Sequence, residues 1–229
     1  MVLPAAVDRT RPLVLAEERV LPVLRPLDQL FTGGGLRRGA TVVVEQGISL
    51  VLALLAAPTS AESWAGVVGL PSLGLAAATE LGVALERLAL VPRPGEQWAT
   101  VTAALLDAVD VVAVRPPARF RPADARRLSA RARERGAVLV AVGGWTEGAE
   151  VRLRVAVGEW RGVDAGHGHQ QRRLVEVVAA GRGAAGRERR LSCWLPGSTG
   201  RVEALKGEKG LVTPQLVDPP LLVVQAGAG

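Results

Sequence analysis

Short runs of consecutive apolar residues alternate with longer stretches of helical spacing over most of the chain up to Gly144. Residues 41–44, Thr-Val-Val-Val, predict a buried strand, and the Leu- and Ala-rich stretch 49–57 predicts a buried helix stopped by Pro58. Further strands are expected at 64–70, 88–91, 109–114 and 137–142, separated by helices at 73–81, 96–107 and 122–135. Gly82 closes the first of these helices. The last has Pro122 near its start, Asp124 in its first turn and Gly136 just past its end, which matches helix start and stop chemistry. Apolar strands alternating with helices predict an α/β fold whose central, mainly parallel sheet is covered on both faces.

The period changes after Gly143-Gly144. Val151, Leu153, Val155 and Val157 alternate with Arg152, Arg154 and Ala156, as in a half-exposed strand, and 173–180 and 190–195 read the same way. With Gly-rich turns at 166–168 and 181–186, these predict an antiparallel extension of the sheet. The ends differ again. Residues 1–30, interrupted by Pro4, Pro12, Pro22 and Pro26, predict an N-terminal arm with one short helix around 16–24. From Pro196 onward a Gly- and Pro-rich flexible tail is expected, with apolar patches at Leu211 and Val212 and from Leu221 to Val224. The division is an arm (1–30), a core (31–195) and a tail (196–229) that is disordered or binds a partner.

Composition narrows the class. A chain of 229 residues, 48% hydrophobic and 22% charged, can bury one good core. No apolar run approaches the roughly 18 residues of a membrane span, and the first residues lack the pattern of a secretion signal. One cysteine, Cys193, excludes an internal disulfide. A cytoplasmic bacterial protein is expected, with no membrane contact. The formal charge is +6, and Lys206 and Lys209 are the only lysines. The arginine excess favours acidic partners such as nucleic acid, or it reflects the codon bias of a G- and C-rich genome.

The strand 41–44 followed by a turn and an apolar helix is where an α/β ATPase places its phosphate-binding loop. That loop needs G-x-x-x-x-G-K-[ST], so that backbone N–H groups, a lysine and a hydroxyl surround phosphates and Mg²⁺. Here the turn reads Glu45-Gln46-Gly47-Ile48-Ser49, with Ile48 in place of lysine and Val42, still in the strand, five residues before Gly47. Losing one charge-assisted contact costs about 1.5–3 kcal/mol.

The run Gly34-Gly35-Leu36-Arg37-Arg38-Gly39, the strand after it, Glu80-Leu81-Gly82 through Leu88, and Pro94-Gly95-Glu96-Gln97 together resemble the bacterial RecA core over about residues 30–180. That resemblance implies a RecA-like fold. It also implies that Pro71 stands where RecA has its water-activating glutamate, and Arg115 where it has the Walker B aspartate. Ile48, Pro71 and Arg115 thus depart together, and a degenerate ATPase with no cofactor and no catalytic residue is expected. RecA grips single-stranded DNA with two long loops, whose counterparts here, 115–121 and 143–150, are short. Gly69-Leu70-Pro71, Arg115-Pro116-Pro117-Ala118, the arginine helix, Val175-Glu176-Val177-Val178, Gly181-Arg182-Gly183 and Trp194-Leu195-Pro196-Gly197 bring the chain closest to the ImuA family of RecA-related accessory proteins, in its short actinobacterial form. By that resemblance it would be an adaptor in DNA-damage-induced translesion synthesis (SOS mutagenesis), nucleoid-associated on damage. It would bind ImuB, an inactive Y-family-like protein, and through it an error-prone C-family DNA polymerase and the sliding clamp. The resemblance to RecA also implies self-association through residues 1–30.

The stretch 115–135 holds eight arginines. Arg126, Arg127 and Arg131 on its helix form a candidate surface for DNA or an acidic partner, with a solvated helix face as the plainer reading. A direct DNA-binding accessory using this helix is therefore the alternative function, and an ATPase with a rewired pocket a further one. Trp145, in a Gly-flanked loop, and Trp160, beside Arg161-Gly162, are candidate surface anchors, as are Leu211, Val212, Leu221 and Val224. His167 and His169 fall in a Gly-rich turn without a third ligand, so no metal site is expected. Cys193 alternates into an apolar strand and is expected in the core. No G-x-S-x-G marks a hydrolase.

Overall fold

The structure, a computed structural model, describes residues 20–164, 167–181 and 186–205. Leu211, Val212, Leu221 and Val224 lie outside the described residues. Two sheets form. Strand β1 (Val20–Pro22) pairs antiparallel with β2 (Gly35–Arg37). The other nine strands make one sheet: β3 (Thr41–Val44), β4 (Ala65–Val68), β5 (Leu88–Val91), β6 (Val111–Val114), β7 (Val138–Val142), β8 (Val151–Asp164), β9 (His167–Gly181), β10 (Arg189–Trp194) and β11 (Glu203–Ala204). Its spatial order is β11-β10-β9-β8-β3-β7-β6-β4-β5. Every pair from β8 through β3 to β5 is parallel, and every pair from β8 to β11 is antiparallel. The sense of the sheet therefore changes at β8, where the apolar runs of the sequence give way to alternation.

Four helices connect the parallel strands: α1 (Ile48–Ser60), α2 (Leu75–Leu81), α3 (Trp98–Ala108) and α4 (Pro122–Arg135). Alternation along each strand feeds two cores. Val42, Val44, Ala65, Val67, Val111, Ala113, Val138 and Val140 join α1 and α2 on one face. Val43, Val68, Val112, Val114, Leu139 and Ala141 join α3 and α4 on the other. Seven consecutive residues of α1, from Leu50 to Ala56, are buried, because β1, α2 and the sheet all lie against it. An all-round apolar helix is what such enclosure requires. By contrast α4 buries only Ala125, Leu128, Ser129 and Ala132 and turns its arginines outward.

Several expectations need correction. The helix around 49–57 does not stop at Pro58 but runs to Ser60 with the proline inside it. In the last turn one missing N–H is tolerable, and the Thr59 hydroxyl donates to the carbonyls of Leu55 and Ala56. Around 16–24 the described part is strand β1 instead of helix, consistent with the extended conformation that Pro22 imposes on its neighbour. Residues 20–30 are no free arm: Leu21, Leu27 and Leu30 are buried in the main core, the last two in a 3-10 turn over Arg25–Leu30. Chain order also extends past Pro196. Glu203 accepts the Thr199 N–H and the hydroxyls of Ser198 and Thr199, which holds its carboxyl below the usual value and fixes β11 against β10. His167 and His169 belong to strand β9, not to a turn. No helix among the described residues is long and apolar enough to cross a membrane.

Candidate functional site at the carboxyl edge of the parallel strands

In open α/β sheets, ligands sit in the crevice beyond the carboxyl ends of the strands. Here that edge is formed by the turns after β3, β4, β6 and β7. The turn after β3 is only Glu45-Gln46-Gly47, and Ile48 already opens α1, half-buried against the main core. β8 sews this turn down: the Glu45 N–H donates to the Leu153 carbonyl (2.9 Å) and the Gln46 side-chain amide to the Val155 carbonyl (3.1 Å). Gly47, with φ +99°, then turns the chain directly into α1.

Beyond β4 comes Gly69-Leu70-Pro71. Gly69 has φ +74°, and a Cβ there would stand 2.4 Å from the Arg115 carbonyl oxygen. Only glycine lets the β4 and β6 ends come this close, with the Arg115 N–H donating to the Val68 carbonyl (2.9 Å). Pro71 and Arg115 are both exposed. Ile48, Pro71 and Arg115 therefore lie along one edge, at the ends of β3, β4 and β6.

The loop 115–121 is anchored through Phe120. Its ring meets Trp98 edge-on at 5.6 Å and stacks on Trp145 at 5.7 Å. Trp145, expected as a surface anchor, is 0% exposed, and its indole N–H donates to the Glu147 carbonyl (2.7 Å). Its flanking glycines suggested an open loop, but the loop folds back under α4, where it completes the second core. Phe120 was not singled out from the sequence; its rarity, as one of only two phenylalanines in a chain without tyrosine, was the signal that could have found it.

Four of the helix arginines, Arg126, Arg127, Arg131 and Arg135, are engaged within the chain, while Arg133 is exposed. Arg131 and Arg135 both bind Asp107 at the end of α3, Arg127 binds Asp124 (3.1 Å), and Arg126 lies 3.6 Å from Glu147. The Arg131 guanidinium, by hydrogen bond and charge, holds the Asp107 carboxyl below its ordinary value. These contacts staple α4 to α3 and to the loop after β7. Arg115, Arg119 and Arg121 are exposed and have no ion pair among the described residues. Outward-facing basic charge therefore lies on both the loop and the helix, but in the loop it has no ion-pair partner among the described residues.

Trp160 is 45% exposed on the outer half of β8, with the Arg173 guanidinium 5.9 Å from its ring. It lies on the part of the β8–β9 hairpin that runs past the carboxyl edge, beyond the pairing of β8 with β3. Cys193 is buried on β10, and burial pushes its thiol up to about 12. A shallow depression lined by Ala149, Glu150, Arg152, Ala180 and Gly181 lies at the opposite, amino end of the parallel strands.

A family model described as the MT3502 N-terminal domain matches residues 29–147, just over half of the chain. The chain belongs to this family. The matched segment of the MT3502 N-terminal domain takes in β2 to β7 and α1 to α4, the whole carboxyl edge included, and ends before the antiparallel strands begin. The chain is also similar to Rv3395c of Mycobacterium tuberculosis, described as an uncharacterized protein. The two are 38% identical over 120 residues, which is 52% of this chain and 59% of the relative. The match thus spans less than two thirds of the mycobacterial protein.

Proposed function

We propose that this chain is a RecA-like, non-catalytic adaptor of a DNA-damage-induced translesion synthesis complex, docking an ImuB-type inactive Y-family protein and through it an error-prone C-family polymerase. The observation that carries the reading is the sealed turn after β3. A phosphate-binding loop needs several inward-facing N–H groups between strand and helix. Three residues whose first N–H and whose glutamine are already bound to β8 leave little backbone to wrap a phosphate. Ile48, Pro71 and Arg115 stand at the three places where the RecA resemblance expects lysine, glutamate and aspartate. What remains is a scaffold, and docking is the role a scaffold without these groups can fill.

Two measurements test this. Labelled ATP with Mg²⁺ should show no saturable binding at micromolar concentration; a micromolar Kd would refute the degenerate-pocket reading. The purified chain should capture an ImuB-type protein from the same genome. Because folded structure continues to Leu205, the deletion that tests the tail is residues 206–229 and not everything after Pro196. Undiminished capture by the shortened chain would exclude the tail as the contact.

A second reading, direct contact with nucleic acid, is favoured by the exposed Arg115, Arg119 and Arg121 on a loop held by Phe120. Each phosphate contact on a single strand adds about 0.7 to the slope of log affinity against log salt. Replacing the three loop arginines should then lower that slope by about 2, whereas replacing Arg126, Arg127 and Arg131 should lower it little. A slope lost only with the helix arginines would return the contact to α4.

A further inference from the structure

Strands β8 and β9 outrun the rest of the sheet. β3 pairs with β8 only at residues 151–153, and β10 pairs with β9 only at 174–179, with Arg173 adding backbone bonds to Leu195 and Pro196. From 158 to 164, β8 therefore has β9 alone beside it among the described residues. A two-stranded ribbon gains little stability in water by itself, so packing does not account for its length. A β-bulge between Val155 and Val157 sits where β8 leaves β3. Val151, Leu153 and Val155 face the core that α1 covers, so unbroken alternation would send Glu159 and Arg161 to that face. Because the bulge adds one residue, Trp160 takes that face instead, opposite Arg173.

The Arg173 guanidinium lies against Gly158, where a Cβ would stand 2.5 Å from it. Its Nε is buried and has no hydrogen-bond partner. Buried donors are nearly always paired, so this one marks a contact that the chain alone leaves unmade. On the other face of the ribbon Arg161 and Arg172 stand directly opposite each other, a like-charge pair that works against the pairing. Arg161 has Glu159 at 3.3 Å, whereas Arg172 and Arg173 form no ion pair among the described side chains.

We propose that this ribbon is a platform for single-stranded nucleic acid, with an unpaired base stacked on Trp160 and the flanking phosphates met by Arg161, Arg172 and Arg173. An aromatic face among cations is the arrangement that binds single strands with little regard to sequence. Beyond residue 157 the exposed side chains among those described are Glu159, Trp160 and Arg161, so the ribbon has no apolar centre of the kind a protein interface is built on. A duplex keeps its bases stacked on one another and leaves the indole nothing to stack with. Arg115 stands on the same edge three strands away, about 14 Å at the usual strand spacing, so one strand of several nucleotides spans both. This inference deepens the nucleic-acid reading given above and rests on it: the loop arginines report on that reading, and Trp160 reports on the ribbon.

Titration of the full chain with an oligothymidylate of about fifteen nucleotides, at one fixed low salt concentration, tests it by tryptophan fluorescence and by anisotropy of the labelled strand. Trp160 is the one exposed tryptophan of the five, so quenching on binding reports its stacking. Stacking contributes about five- to a hundredfold in affinity. Trp160→Ala should lose that factor together with the quenching, while Trp160→Phe, which keeps a ring, retains most of the affinity. An abasic strand of equal length offers no base and should bind the parent chain and Trp160→Ala alike. Saturation of the parent chain without quenching overturns the proposal, as does undiminished affinity in Trp160→Ala. An equal loss on the abasic strand also overturns it and gives Trp160 a structural role. Tighter binding of a duplex, or displacement by poly-glutamate as effective as by oligothymidylate, overturns it in favour of duplex or an acidic protein. Affinity that falls with the loop arginines and ignores Trp160 removes the ribbon and leaves the nucleic-acid reading standing, whereas no binding of any strand removes both.

Discussion

Replacing Trp145 with alanine separates a core residue from a surface anchor. The side chain is 0% exposed, stacked on Phe120 and hydrogen-bonded through its indole N–H to the Glu147 carbonyl. Truncating a fully buried tryptophan leaves a cavity and costs about 3–5 kcal/mol. The aromatic pair, worth about 0.5–1.5 kcal/mol beyond its area, falls within that range. For a chain of this size each kcal/mol moves Tm by about 2–4 °C, so a drop of about 6–20 °C is expected. Trp145→Phe keeps the stack and loses only the N–H and some volume, so its cost should be well below half of that. Urea unfolding followed by circular dichroism gives both numbers. An exposed anchor would cost less than about 0.5 kcal/mol, so a value below about 1 kcal/mol for the alanine variant would refute the burial argument, and with it the account of how the loop 115–121 is held.

The remaining predictions concern the same edge and the two cores. Gly69→Ala should cost about 2 kcal/mol or more in the same unfolding assay, because its Cβ would meet the Arg115 carbonyl at 2.4 Å on a backbone with φ +74°; a neutral result would mean the β4 and β6 ends can part. Asp107, held below its ordinary value by Arg131, contributes stability that is present above its unfolded pKa and lost as pH falls through the folded one. Asp107→Asn should therefore flatten the acid limb of the Tm profile below pH about 4, and an unchanged limb would contradict the pairing. Cys193 works at the other end: its folded thiol binds its proton up to about 12, against 9.0 as the ordinary value, so stability is full below that lower value and declines as pH rises between the two. With no tyrosine and only two lysines in the chain, Cys193→Ala should visibly reduce the alkaline slope, and Ellman's reagent should react with the native thiol only on unfolding.

Sequence reasoning reached the elements whose signals are local. β5 at 88–91 and α4 at 122–135 have the expected bounds, because an apolar run between turn residues and a helix with Pro, Asp and Gly at its ends state their limits directly. The alternation after Val151 gave the antiparallel extension, though β8 and β9 run on well past the alternating residues. What stayed hidden was non-local. Nothing beside Trp145 in sequence says that Phe120 and Trp98 will close over it, and two glycines argued for exposure. Arg131 and Arg135 are one turn apart, so a single carboxylate could reach both; which one, Asp107, depends on α3 and α4 lying side by side. The candidate edge was legible as positions, since Ile48, Pro71 and Arg115 all follow strands. Its sealed geometry was not, because the residues that seal it come from β8.

That last dependence ties the two halves of the sheet together. The family match ends at 147, yet the turn after β3 finds its partners at Leu153 and Val155, beyond the match. β3 itself is a central strand only because β8 pairs with it on the side away from β7. Without β8, Val42 to Val44 would become an open and wholly apolar edge, and the Glu45 N–H and the Gln46 amide would lose their acceptors. The state of the carboxyl edge is therefore decided jointly: the parallel unit supplies the positions, and the first strand of the extension sets how much backbone is left free there. Relatives that share 29–147 but differ after it can keep every residue of the turn and still present a different edge.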